Sequence, residues 1–320
     1  MASPNSSFTE IVTTSLQGYS GELADNVTNH NALLRAIDKK GNKQVATGRS
    51  IVQELEYAEN STVMWYSGAE TLDISPSEVF SAAEYNYKQL AGNVTITGLE
   101  QIQNSGKEAV HNLLKSRMRN LEKSLRNTMA TALYADGTGS GGKEIGGLQL
   151  IVADTNTNTV GGISGSNSFW RNYVTDMSSA TVAGASASTS NIQHGMNLTW
   201  INTIRGSDKP DIIVADSQMY LFYLESLTAN QRFMDDKGAG AGFTNLVYQG
   251  NVPVIYDDQC PAKHMYFLNT DYLFIRPAKG REFVPLGEKS SVNQDALVMP
   301  VCWAGNMTCS NRAMQGVLIE

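Results

Sequence analysis

The chain of 320 residues is poor in charge. Lys, Arg, Asp and Glu make up 17% of it, against ~25% in an average soluble chain. Basic residues are the scarcer class, 24 against 31 acidic ones, and the formal net charge is −7. Tight, phosphate-led nucleic-acid binding needs clustered Lys and Arg, so that class is disfavoured. Loose enclosure of nucleic acid is not. There are three cysteines, Cys260, Cys302 and Cys309, an odd number with no CxxC spacing. They read as free thiols in a reducing compartment. No apolar run approaches the ~20 residues of a membrane span, and no membrane association is expected. The opening MASPNSSFTE has neither a basic region nor an apolar core, so it does not read as a signal peptide.

Chemistry-bearing motifs are as scarce as charge. GxSxG and HExxH do not occur. His30, His111, His194 and His264 have no metal-ligand spacing, and Cys260 with His264 is an isolated pair where zinc needs more ligands. Asp235-Asp236 and Asp257-Asp258 are adjacent acids that read as solvated loop residues rather than an acid–base couple. Gly137, Gly139 and Gly142 match GxGxxG, and Gly137, Gly142 and Lys143 match a P-loop up to Glu144. A phosphate cradle needs a strand before the loop and a helix after it. The order here is the reverse, and Glu144 places negative charge where phosphate would sit. A nucleotide-binding enzyme using residues 137–143 is therefore a remote alternative. Neither a catalytic site, a cofactor nor a metal is expected.

What the chain does contain is apolar matter, 41% of its residues, enough for real cores. At this length two packed regions are favoured over one. The most regular stretch is Asn104 to Asp136. Val110, Leu114, Met118, Leu121, Leu125, Met129 and Leu133 recur in steps of three and four, one stripe on a helix. Lys107, Lys115, Arg119, Lys123 and Arg126 take the opposite face. Ser105 and Glu108 have capping-box spacing, and Gly137 opens the glycine run that ends it. Such a helix is about 45 Å long at ~1.5 Å per residue.

Before it, residues 1–47 are polar and read as a mobile arm, with a short helix through Val27, Leu33, Leu34 and Ile37. Ser50 to Glu59 alternates, with Ile51, Gln53, Leu55 and Tyr57 on one face. Asn60-Ser61 signals a turn, and Thr62 to Tyr66 alternates again, so a hairpin is predicted. Its Trp65 and Tyr66 need something to cover them. Ser81 to Gly98 reads as a strand with a bulge at Gly92. After the helix, Leu148 to Ala153 reads as a short strand, and 154–190 is low in complexity and reads as loops. A regular α/β region follows. Helices are predicted over Asn191–Ile204, with Met196, Trp200, Ile201 and Ile204 inward, and over Ser217–Leu227, with Met219, Leu221, Phe222 and Leu224. Strands are predicted at 211–215, 252–256, 264–269, 272–275, 298–303 and 313–319, and a flexible loop at 235–242.

This order of parts resembles the major capsid proteins of tailed bacteriophages, the HK-97-type fold. The resemblance is carried by AAEYNYKQLAGNVTITGLEQIQNSGKE (Ala82 to Glu108), TALYADGTGSGGKEIGGLQLIV (Thr131 to Val152), SFWRN (Ser168 to Asn172) and WAGNMTCSNRAMQGVLI (Trp303 to Ile319). It implies an α+β fold with an N-terminal arm (1–47), an extended loop across a neighbouring subunit (48–80), and a peripheral domain (81–153) whose spine helix is 104–136. A loop-rich connection (154–190), an axial domain (191–276) and a return to the peripheral domain (277–320) complete it. Implied assembly contacts are Leu55, Tyr57, Trp65 and Tyr66 in the extended loop and Asp235, Asp236 and Lys237 near the centre of the capsomer.

The function implied is a shell subunit that forms hexamers and pentamers around double-stranded DNA in a virion, assembled in the host bacterial cytoplasm. Its partners would be further copies, scaffolding and portal proteins, and in some members decoration proteins. A nanocompartment shell of the encapsulin type is the alternative. Two departures from the type member stand out. Ser50 to Phe80 contains no lysine, so an isopeptide crosslink from the extended loop is not expected. Only about forty-seven residues precede the hairpin, where some members carry a fused scaffolding segment, so either this is the mature form or a separate scaffolding protein acts, and Met1 favours the second.

Overall fold

The computed structural model describes residues 32–103, 107–227, 246–287, 289–290 and 294–320. In chain order these form α1 (Ala32–Lys40), β1 (Ile51–Glu56), β2 (Phe80–Tyr85), β3 (Lys88–Thr97), α2 (Gly98–Gln103) and the long α3 (Lys107–Ala132). A single turn, α4 (Leu148–Ile151), the small pair β4 (Thr159–Val160) and β5 (Ile163–Ser164), and β6 (Tyr173–Asp176) come next. They are followed by α5 (Ile192–Asn202), β7 (Ile212–Ala215), α6 (Ser217–Ser226), β8 (Leu246–Tyr248), β9 (Val252–Tyr256) and β10 (His264–Leu268). The chain then runs through β11 (Leu273–Pro277), β12 (Val284–Pro285), β13 (Lys289–Ser290), β14 (Ala296–Cys309) and β15 (Gly316–Ile319).

Two sheets organise the molecule. In the first, the 14-residue β14 is the backbone. It pairs antiparallel with β3 over ten positions, from Ala296 opposite Thr97 to Gly305 opposite Lys88. Its other side is shared by β11, β12 and β13. Because side chains alternate across a strand, Val94 and Ile96 of β3 are buried on one face. Gly92 shares that face and sits against α3. A Cβ there would lie 2.4 Å from Leu121 Cδ1. The pairing through Gly92 opposite Val301 is regular, so the expected bulge is absent. The glycine instead lets helix and sheet approach closely.

The spine helix ends earlier than predicted, at Ala132. The returning chain takes the carbonyls just past that end: Gly147 N–H donates to Ala135 O at 2.9 Å and Leu148 N–H to Leu133 O at 2.7 Å. Those bonds compete with continuation of the helix. Leu125, Met129 and Leu133 of the stripe are buried. The capping-box residues lie outside the described residues or side chains.

The second sheet has the order β6-β15-β10-β7-β9-β8. β6 runs parallel to β15, and β7 to β9. Helices α5 and α6 bury Ile192, Met196, Trp200, Met219 and Tyr223. Asp216 caps α6, accepting from Met219 N–H at 2.8 Å. Ile201, predicted inward, is exposed, and so is Leu221. Residues 277–320, expected as one returning segment, are divided: β14 belongs to the first sheet and β15 lies inside the second.

Three other expectations change. Leu148 to Ile151 is a helical turn, not a strand, since a short apolar run does not distinguish the two. The low-complexity stretch contributes β6 to the second sheet. Of the arm, residues 32–47 are docked on the body. Leu33 and Ile37 are fully buried, and Gln44 and Ala46 N–H groups donate to Ile275 O and Pro277 O at 3.2 and 2.8 Å. The rest of the arm lies outside the described residues. At the junction of the two sheets Arg312 is fully buried. It donates to Ile151 O (2.7 Å), Trp170 O (3.1 Å), Asn158 Oδ1 (2.7 Å) and Asn172 Oδ1 (3.0 Å).

Candidate assembly interface

The hairpin is built differently from its prediction. β1 pairs with β2, Ile51 opposite Tyr85 through Glu56 opposite Phe80, and not with residues 62–66. Ile51, Gln53 and Leu55 alternate inward and are buried, with Ala83 and Tyr85 beneath β2. What lies between the strands, 57–79, forms no strand. Its base is closed by Tyr57 N–H donating to Val79 O at 3.0 Å. Beyond that its bonds are local. Asn60 Oδ1 accepts from Thr62 N–H (3.0 Å), Glu70 Oε2 from Ser67 N–H (3.1 Å) and Asp73 Oδ1 from Ser75 N–H (2.9 Å).

This loop carries its apolar side chains outward. Trp65 is 99% exposed, Ile74 94% and Val63 83%, with Tyr66, Leu72 and Phe80 also exposed. A single exposed apolar residue is ordinary, but a run of them marks an interaction surface. The charge is one-sided too. From Ser50 to Tyr87 stand Glu54, Glu56, Glu59, Glu70, Asp73, Glu78 and Glu84, without one Lys or Arg. Chemically the loop can do one thing well: bury its apolar tip against another surface and meet basic groups there.

The other chemistry-bearing clusters are structural in geometry. In the glycine segment, Gly142 N–H donates to Thr138 O and Lys143 N–H to Gly139 O. The Lys88 ammonium bonds the Gly142 carbonyl. Two of the segment's amides are thus used by the turn itself. Asp257 is buried and accepts from Tyr134 Oη at 2.8 Å, while Asp258 is exposed. Burial, with Asp257 beside it, drives the Tyr134 phenol far above its ordinary range. His264 places Nδ1 2.7 Å from Ala262 O and Nε2 3.1 Å from both Asp154 oxygens. Two acceptors need two ring protons, so the imidazolium is favoured. Burial works against it, but the bonds to Asp154 and Ala262 prevail and the pKa is raised. Among the described residues no group of three or more His, Cys, Asp or Glu is arranged to hold a metal ion.

The SU10 major capsid protein family model matches residues 6–304. The chain belongs to this family. Solved structures agree on the fold. The cyanophage A-1(L) capsid asymmetric unit is similar at TM-score 0.69 and 16% identity, covering 96% of this chain and 98% of that one. The capsid of the empty GTA particle is similar at 0.63 and 14% identity, covering 94% of each. The holo-SrpI encapsulin complex from Synechococcus elongatus PCC 7942 is similar at 0.57 and 9%, covering 93% and 92%. None of the curated proteins matches. The fold is HK-97-type, and the chain is a major capsid protein by family.

In this capsid protein the expected contact residues separate into three groups. Trp65 and Tyr66 stand on the exposed loop. Leu55 is buried in its own core, and the Tyr57 ring packs on Phe169 with centroids 5.5 Å apart. The β1–β2 pairing turns Leu55 inward as a packing residue, whereas Tyr57 lies just past β1, half-buried at the base of the loop. Asp235, Asp236 and Lys237 lie outside the described residues. Sequence reasoning missed Val63, Ile74 and Phe80. The signal was present as the acid-only, lysine-free stretch, which extends through both strands.

Proposed function

We propose that copies of this capsid protein close into hexamers and pentamers of an icosahedral shell around double-stranded DNA, each extended loop lying across a neighbouring subunit. One observation carries this reading: among the described residues, an apolar, acid-only loop of 57–79 is hydrogen-bonded to its own body only at the base. Such a loop gains its stability from a second chain, and weak contacts repeated under closed symmetry sum to a stable particle. A net charge of −7 suits a container through which DNA must slide during packaging, since basic walls would hold it by its phosphates. The role is structural and non-enzymatic. Partners in this reading are scaffolding and portal proteins and, in some members, decoration proteins, with assembly in the host cytoplasm.

The test is negative-stain electron microscopy of the purified chain with its neighbouring gene products. Shells or rings of five and six are expected. Discrete monomers or dimers in the presence of a scaffold would overturn the reading. The encapsulin likeness supports a second one, a shell around a cargo enzyme. Copurified DNA and portal protein would favour the phage head, and a copurified cargo enzyme the nanocompartment.

A further inference from the structure

We propose that the groove between the docked arm and the first sheet is the seat for the extended loop of a second copy, with Trp65 as the inserted side chain. The inference rests on the assembly reading above and adds the receiving site. The groove has a volume of about 530 Å³. Tyr87, Leu90 and Trp303 supply apolar wall, Cys302 lines it as well, and Lys279 and Arg281 bring positive charge. Neither of those two cations forms an ion pair among the described residues. Tyr87 also has a buried hydroxyl without a hydrogen-bond partner among them.

The groove and the loop are complementary in both respects that matter. The loop presents a large indole, 99% exposed, and aromatic side chains that fill pockets dominate interface energies. It carries only carboxylates, and the groove carries unpaired cations, which steers and orders the encounter. The loop's own chain does not fill the site: no residue of 57–79 lines it. A neighbour under the symmetry of a ring can supply what the same chain does not.

Cys302 makes the site readable. Cys260 and Cys309 are buried, whereas Cys302 is partly exposed, so a maleimide under native conditions reports on the groove. In wild-type protein, Cys302 labelling is expected to slow at least tenfold on passing from unassembled subunits to purified particles. In Trp65→Cys particles, a short bis-maleimide should add across the introduced thiol and the neighbour's Cys302, giving multimers on denaturing gels. Adding Cys302→Ser should abolish them. Particles whose Cys302 labels as fast as in free subunits would overturn the proposal, and so would Trp65→Cys particles that yield no multimers. If Trp65→Cys fails to assemble, the wild-type labelling decides alone. Failure of the wild-type chain to form particles at all would remove the assembly reading first, and this one with it.

Discussion

Replacing Arg312 should be among the most damaging single changes in the body of this protein. Its guanidinium is fully buried, and its five-donor fork is divided chiefly among two backbone carbonyls, Ile151 O and Trp170 O, and two amide oxygens, Asn158 Oδ1 and Asn172 Oδ1, with a longer bond to Asn158 O at 3.5 Å. Burial penalises the charged form and lowers its pKa from the usual arginine value. Arg312→Met removes that cost but orphans four acceptors, at ~1–3 kcal/mol each for a buried group. Relaxation and the recovered desolvation offset part of this, leaving a loss of about 3–5 kcal/mol. Arg312→Lys keeps the charge but cannot span four acceptors from one nitrogen, and should lose about 2–4 kcal/mol on the same reasoning. Urea unfolding of the unassembled subunit, followed by tryptophan emission, measures this, because Trp170 is itself buried against the network. A red shift of native emission should accompany the lower midpoint. If Arg312→Lys costs under about 1 kcal/mol and emission is unchanged, the claim that the fork holds the junction together is wrong.

Other perturbations test other links. Trp65→Ala should leave subunit unfolding unchanged and cut particle yield sharply, since up to ~5 kcal/mol of apolar burial at each contact is removed; normal yields would refute the interface assignment. Gly92→Ala forces a Cβ to within 2.4 Å of Leu121 Cδ1 and should destabilise by about 1–3 kcal/mol, read by the same urea assay. The raised His264 pKa gives a stability term that is fully present below the unfolded value near ~6.5 and lost as pH rises through the folded value. The difference in melting temperature between wild type and His264→Gln should therefore shrink from pH 6 to pH 9. Ser50 to Phe80 contains no lysine, so mature particles should run as monomers on denaturing gels, and a covalent ladder would contradict this.

How far the sequence was legible depended on the range of the forces involved. The spine helix was readable because Leu125, Met129 and Leu133 repeat at helical spacing, a purely local signal. Its C-terminal end is earlier than the pattern predicts because Gly147 and Leu148 claim the carbonyls of Ala135 and Leu133, on which a longer helix would depend. Residues 62–66 alternate as a strand would, yet β1 selects Phe80–Tyr85. Alternation says which face a residue takes, not which partner it meets. β6 was invisible for a related reason: Tyr173–Asp176 is a short stretch given its form by β15. At the candidate site, Trp65 and Tyr66 were found from their size and lack of cover. The groove was not, since its walls come from four separated parts of the chain.

The pairings that close both sheets impose a schedule on the growing chain. Gly316 of β15 lies opposite Tyr173, and Ala296 of β14 opposite Thr97. At ~5–20 residues per second of synthesis, β6 waits roughly 7–30 s for the strand that holds it, and β3 longer for β14. Contacts so remote in sequence also form slowly once available. A chain that stops short of residue 316 leaves β6 unpaired and β10 as a bare edge, so translation errors late in the message yield subunits unable to complete either the sheet or a particle. The four residues of β15 are therefore what joins β6 to the rest of the second sheet.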